Sequence, residues 1–116
     1  MKFRAKITEI GPLANDFKDA NIYIIFNEDV PEELKEFAIL HEKVELKEDI
    51  AVGDCLKIGS SKVKITAVGT EVNKTLIELG HLTLKLDGEN EPELPGTCHA
   101  ENKDIDFQVG DYIEIG

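Results

Sequence analysis

Basic residues are scarce in this sequence: thirteen Lys and Arg stand against twenty-four Asp and Glu, a net charge of −11. A surface of that sign repels a phosphate backbone or an anionic leaflet, so nucleic acid and membrane surfaces are excluded as natural partners. Long apolar runs are missing too. Ile22 to Phe26 is far too short to cross a bilayer, and Met1-Lys-Phe-Arg-Ala has no signal-peptide core. The chain is therefore expected to be cytoplasmic, with no direct membrane insertion. Cysteine is nearly absent: Cys55 and Cys98 sit in no C-x-x-C or Cys/His ligand spacing, so both read as small core residues and no disulfide framework is expected. Cys98 and His99 are neighbours, but adjacent residues on a strand point to opposite faces, so no thiol–imidazole contact is implied. The common catalytic signatures are also lacking: no phosphate-binding glycine loop, no G-x-G-x-x-G after a strand, no H-E-x-x-H and no G-x-S-x-G. No cofactor is expected, and His41, His81 and His99, without a fourth ligand cluster, make only a weak case for a metal.

What is present reads as short strands punctuated by turns. At 116 residues the chain suits one domain with a single modest core. Phe3 to Ile10 alternates and ends at Gly11-Pro12. Asn15 is placed to cap a helical turn through Ala20, and Ile22 to Phe26 has the β-branched, apolar character of a strand buried on both faces. Asp29 is placed to cap a helix with Pro31 in its first turn, Glu32 and Glu33 at its positive end, and Leu34, Phe37 and Ala38 on one side. That helix delivers the chain to His41. Val44 and Leu46 alternate with charged residues, and Val52 to Gly59 is a turn followed by a strand. Lys62 to Ala67 alternates again, Asn73 is placed to cap a helix that Gly80 ends, and Leu82 to Asp87 is the cleanest period-two strand. Asp87-Gly88 and Pro95-Gly96 are turn dipeptides either side of the acidic loop Glu89 to Glu93, and Val109 to Gly116 closes the chain.

The second half resembles the first. Lys6-Ile7-Thr8 recurs as Lys64-Ile65-Thr66, an offset of 58 (64 − 6), and Gly11 and Asn15 recur at Gly69 and Asn73. His41 then falls on His99. Val52-Gly53-Asp54 recurs as Val109-Gly110-Asp111 with an offset of 57 (109 − 52). We read this as an internal duplication, about 2–59 and 60–116, since neither half alone buries a sufficient face. Closing the sheet would protect its edges, so the expected fold is all-β: a small closed or nearly closed barrel of two similar halves with one or two short helices.

Among the side chains, histidine has the most distinctive chemistry. A neutral imidazole offers one nucleophilic nitrogen while a hydrogen bond orients the other, so the ring can accept and release a phosphoryl group. On residue types alone, a lone histidine such as His41 is more often a partly buried structural residue.

The run Glu78-Leu-Gly-His-Leu-Thr-Leu-Lys-Leu-Asp-Gly88, followed by Glu93-Leu-Pro-Gly-Thr-Cys-His99 and preceded by Thr66-Ala-Val-Gly69, resembles the glucitol/sorbitol-specific IIA components of the bacterial phosphoenolpyruvate-dependent sugar phosphotransferase system. The resemblance covers nearly the whole chain. It implies a phosphotransferase-system component in which Glu36-Phe-Ala-Ile-Leu-His41 carries the active histidine, phosphorylated on Nε2. It further implies a relay in which HPr phosphorylates His41, and His41 passes the group to a IIB cysteine of the IIB/IIC permease for sugar-alcohol uptake. Lys43 stands where family members often have a second histidine, and its charge would attract phosphate. If the duplication makes His99 the symmetry mate of His41, both approach one central groove, with Thr97, the Gly96 amide, His99 and His81 as donors to the phosphoryl oxygens. The rival functions are a non-catalytic barrel that binds a protein or sugar, and a self-associating protein using Ile22 to Phe26.

Overall fold

The computed structural model describes all of residues 1–116. Eight strands close into a barrel: β1 (Phe3–Ile10), β2 (Ile22–Asn27), β3 (Ile39–His41), β4 (Cys55–Ile58), β5 (Ser61–Val68), β6 (Leu82–Lys85), β7 (Thr97–Ala100) and β8 (Tyr112–Ile115). Around the barrel their order is β1-β3-β2-β6-β7-β5-β4-β8. Two pairs, β2 with β3 and β6 with β7, are parallel and the rest antiparallel. The period-two alternation seen in sequence is what builds the interior. In β1, Phe3, Ala5 and Ile7 point inward while Arg4 and Lys6 face water, and in β6 Leu82 and Leu84 do the same. One core of 21 buried residues fills the barrel, and a satellite of Phe26, Val30, Ala38 and Leu40 packs outside it.

Exchanging β1 to β4 for β5 to β8 leaves the strand order unchanged, as a duplicated half would require. The correspondence extends to single hydrogen bonds. Asp54 Oδ2 accepts the Ala51 N–H and Asp111 Oδ2 accepts the Gln108 N–H. Glu42 accepts the Lys6 N–H and Glu101 accepts the Lys64 N–H. Gly11 and Gly69 lie so close to the backbone carbonyls of Lys35 and Pro95 that a Cβ would collide at either position.

These bonds correct the mate assigned to His41. With Glu42 matched to Glu101 and the Ile7·His41 pair to Ile65·Ala100, the structural counterpart of His41 is Ala100, and His99 corresponds to Leu40. The second half has gained one residue before β6, so the simple offset of 58 slips by one in the middle strands.

The helical segments also differ from expectation. A 3₁₀ segment covers Ala14–Ala20, α1 covers only Glu32–Lys35, and α2 covers Val72–Leu79. None is capped by the polar residue expected: Leu13, Pro31 and Glu71 hold the N-cap positions and make no side-chain cap. Asn73 spends its amide on Ile50, accepting its N–H at 2.8 Å and donating to its carbonyl at 3.1 Å. Helix α1 stops early because Glu36 and Ala38 give their carbonyls to Leu13 and Gly11, which draws the segment onto the end of β1 and into β3. Ile22 and Ile24 are only half-buried, so β2 is not sealed on both faces.

Of the two free thiols, Cys98 is fully buried and its ionisation is pushed up to about 12, by burial first and then by the negative charge of Asp54. Cys55 is only half-buried, contrary to the expectation for both. A thiol reagent at pH 8 is therefore expected to modify Cys55 in the folded protein and to reach Cys98 only after unfolding, measurable by mass spectrometry with and without denaturant.

Asp54 also anchors the start of the chain. Lys2 Nζ donates to its two oxygens at 2.8 and 3.1 Å. Burial alone would raise the Asp54 carboxyl, but the Lys2 hydrogen bond, the Ala51 amide and the Lys2 charge together outweigh it and hold it below its ordinary value of 3.8. A depressed carboxyl adds stability above its unfolded value and loses it as pH falls through the folded one. Urea unfolding should therefore show Asp54→Asn less stable than the parent near pH 7, with the gap narrowing below about pH 4.

Candidate functional site

The three histidines occupy different settings, and only one lies at a surface depression. His41 ends β3 and is wholly enclosed, at 0 % exposure. Its Nε2 lies 2.8 Å from the Gly80 carbonyl and its Nδ1 lies 2.7 Å from the Glu42 carbonyl, so neither nitrogen turns a lone pair to solvent. Phe3 meets the ring edge-on at 5.3 Å. In this structure the imidazole joins the end of β3 to the turn after α2.

His99 is equally enclosed, at 0 % exposure. Its Nδ1–H donates to Asp87 at 2.8 Å, and its Nε2 accepts the Glu93 N–H at 3.1 Å, which ties the acidic loop to β7. Burial would raise Asp87, but the His99 hydrogen bond, followed by the Glu89 amide and the charge of Lys85, leaves it lowered overall. His99 and His41 do not share a groove; each is committed to partners of its own.

His81 follows α2 and differs in every respect. Gly80, in the left-handed region at φ 59°, ends the helix by donating its N–H to Leu76, which sets the next residue at the mouth of β6. The His81 ring is half-buried and stacks on Phe26, with centroids 4.2 Å apart and planes 21° apart. Its Nδ1–H donates to the Ile25 carbonyl at 3.1 Å. That fixes the tautomer, and the Nε2 lone pair accepts the Thr83 hydroxyl at 3.3 Å. Burial holds this imidazole below its ordinary titration range, opposed only by the Ile25 hydrogen bond, so the ring is neutral near pH 7.

His81 and Thr83 line a depression of about 370 Å³ whose remaining wall is Phe17, Ile24, Phe26, Leu34 and Phe37. Leu34 and Phe37, brought there by α1 and the residue pair after it, are 41 % and 37 % exposed, high for large apolar side chains. A neighbouring hollow of about 540 Å³ is lined by Glu9, Glu32, Glu33 and Glu36 together with Lys35, so its charge is predominantly negative. The two hollows meet at Phe37.

The other expected donors are dispersed. Thr97 is buried and pairs in register with Thr83, so it lies beside this site but faces no solvent. Gly96 is half-buried in the turn before β7. Lys43 is exposed, 3.8 Å from Asp29, and does not meet the depression. Thr83 and the aromatic wall went unremarked in sequence, although His81 and Thr83 two apart on a strand necessarily share a face. No cluster of His, Cys, Asp and Glu is arranged to hold a metal, and no helix is long and apolar enough to cross a membrane.

Comparison with known proteins adds an independent line. Residues 2–114 match the family model described as PTS system glucitol/sorbitol-specific IIA component. The chain is 39 % identical, over 98 residues, to the PTS system glucitol/sorbitol-specific EIIA component of Shigella flexneri, covering 84 % of this chain and 80 % of that protein. The protein of the same description from Escherichia coli K12 matches with the same identity and coverage. Among solved structures, the PTS system IIA component from Enterococcus faecalis V583 superposes with a TM-score of 0.85 at 28 % identity, covering 97 % of this chain and 98 % of that one.

The packing of His41 on Gly80 is testable by a double-mutant cycle. A Cβ on Gly80 would lie 2.7 Å from the His41 ring and 2.8 Å from Asn27. Gly80→Ala should therefore cost about 2 to 4 kcal/mol, from overpacking plus the left-handed backbone. In a His41→Ala background the same change should cost less, and additive costs in denaturant unfolding would show that the two positions do not touch.

Proposed function

Because the chain belongs to the glucitol/sorbitol-specific IIA components of the phosphotransferase system, we propose that it is a cytoplasmic phosphoryl carrier, taking the group from HPr onto a histidine and passing it to a cysteine of the IIB component. The family match over residues 2–114 carries this proposal. By the resemblance of Glu36-Phe-Ala-Ile-Leu-His41 that histidine is His41, and the depression lined by His81 and Thr83 offers another protein an apolar surface on which to sit.

A carrier needs little else. Both transfers exchange one P–N or P–S bond for another, so catalysis is chiefly positioning, supplied by the two docked proteins together. The acidic surface suits partners with basic faces, since charge of opposite sign raises the encounter rate. The sugar itself meets only the membrane component, so selection for the sugar alcohol lies outside this chain.

Incubation of the protein with radiolabelled phosphoenolpyruvate, enzyme I and HPr is expected to give an acid-labile, alkali-stable phosphate at about one per chain, chased onto IIB when that protein is added. A chain that stays unlabelled while HPr is fully phosphorylated would rule out the carrier role and leave a binding module.

A further inference from the structure

We infer that Asn27 is this chain's own donor to the phosphoryl group: once the group sits on Nε2 of His41, an Nδ2–H of Asn27 hydrogen-bonds one of its oxygens. The inference deepens the carrier role proposed above and rests on it, with His41 as the residue that carries the group.

Position selects the residue. Asn27 ends β2 and stands opposite His41 in the parallel pairing of β2 with β3, so the two side chains leave the same face. Both also border Gly80. A Cβ built there would lie 2.8 Å from Asn27 Cβ and 2.9 Å from His41 Nε2, which puts Asn27 Cβ within one side-chain length of that nitrogen. Of the donors expected from sequence, Lys43 is engaged with Asp29, His99 with Asp87 and the Glu93 amide, and His81 with the Ile25 carbonyl and the Phe26 ring.

A free donor selects the atom. Asn27 is a polar side chain at only 7 % exposure. Its Oδ1 accepts the Asp29 N–H at 2.9 Å, an Asx turn that an aspartate would make equally well. What the amide adds is Nδ2, which has no acceptor in the chain and keeps slight contact with solvent. The other half of the barrel shows that the frame does not require it. One step beyond the pair Lys85 and His99, Leu86 stands opposite Ala100, the counterpart of His41, and both are at 0 % exposure. Hydrocarbon seals that position without polar cost, whereas an amide buried with one end unbonded to the chain is destabilising. The two polar side chains occur together, in the half that carries the histidine.

The transfer uses the tautomer whose proton sits on Nδ1, where the Glu42 carbonyl holds it at 2.7 Å. Nε2 then has its lone pair, and the Gly80 carbonyl at 2.8 Å, with no proton left to accept, is repelled and turns aside. Glycine permits that turn because it adopts either sign of φ. The lone pair attacks phosphorus as the N–P bond of the donor's phosphohistidine breaks; the donor imidazole recovers its electron pair and no net proton is exchanged. The phosphoryl oxygens arrive where the carbonyl stood, and Nδ2 donates to one of them in a charge-assisted bond. In the onward step an acceptor thiolate attacks phosphorus, the N–P bond breaks, and His41 regains its Nε2 lone pair.

The full chain is phosphorylated with phosphoenolpyruvate, enzyme I and HPr, digested with trypsin at alkaline pH and mapped by mass spectrometry. The phosphate is expected on Glu36–Lys43, in which His41 is the one histidine. Asn27→Asp keeps the size and the turn acceptor but exchanges the donor for a negative charge, and Asn27→Leu installs the residue of the other half. Both are expected to keep a cooperative circular-dichroism melt and to take phosphate from phosphorylated HPr about tenfold to a hundredfold more slowly than the parent, Asn27→Asp the slower. Either variant labelled at the parent's rate overturns the inference; for Asn27→Asp that result would leave the side chain with its turn alone. A second readout needs no variant to fold. With asparagine labelled with ¹⁵N in the wild type, one Nδ2 proton of Asn27 is expected to move downfield on phosphorylation, and an unmoved signal overturns the inference. Phosphate on Glu36–Lys43 with unchanged rates removes Asn27 and leaves the carrier role intact. Phosphate on another peptide removes His41 as the carrier and Asn27 with it, and no phosphate on any peptide overturns the carrier role itself.

Discussion

The contact between the His41 imidazole and the Gly80 carbonyl is the constraint on which the rest of the site depends. It links β3 of the first half to the helix-to-strand turn of the second, across β2, at a point with no exposure to water. A buried polar bond of this kind adds modestly to stability when made and costs considerably more when one partner is removed, so it fixes geometry more firmly than it adds free energy. Three features converge there. Gly80 adopts a left-handed backbone that ends α2, it leaves room for the imidazole, and its carbonyl lies 2.8 Å from His41 Nε2. The next residue in the chain is His81. A ring enclosed in the wall thus determines where a ring at the surface points.

The barrel's near-symmetry makes this more informative, because the other half shows the same frame without the site. The strand registers match Gly80 with Asn21, His81 with Ile22 and Thr83 with Ile24. Asn21 is likewise left-handed, at φ 60°, and likewise ends a helical segment. The counterpart of His41 is Ala100. Where the neighbour in β7 is a methyl group the turn carries a side chain, and where the neighbour in β3 is an imidazole the turn is glycine. The two exchanges are coupled by volume, since an interior packed at crystal density accepts a larger group at one position only by losing it at another. The counterparts of His81 and Thr83 are isoleucines, which have nothing to donate or attack with.

Much of the fold was legible in sequence because β structure announces itself through alternation. Phe3, Ala5 and Ile7, or Leu82 and Leu84, identify the inward face without any coordinates. The repeat was legible as well, but only approximately. A one-residue insertion between Gly69 and β6 moves the matches in β6 and β7 by one, and Cys98-His99-Ala100 offers a histidine close enough to His41 to disguise the slip. What resolved the register was a pair of carboxylates, Glu42 and Glu101, accepting equivalent backbone N–H groups. The capping residues misled for a related reason. Asn73 is of the right type in the right place, yet its amide finds a better-placed pair of backbone groups at Ile50, and tertiary context overrides a local preference. The site itself was the least legible part. Residues 17, 24, 26, 34, 37, 81 and 83 come from a 3₁₀ turn, two strands, a short helix and its exit, and no linear spacing brings them together. Which side chains share that hollow is a property of the closed barrel.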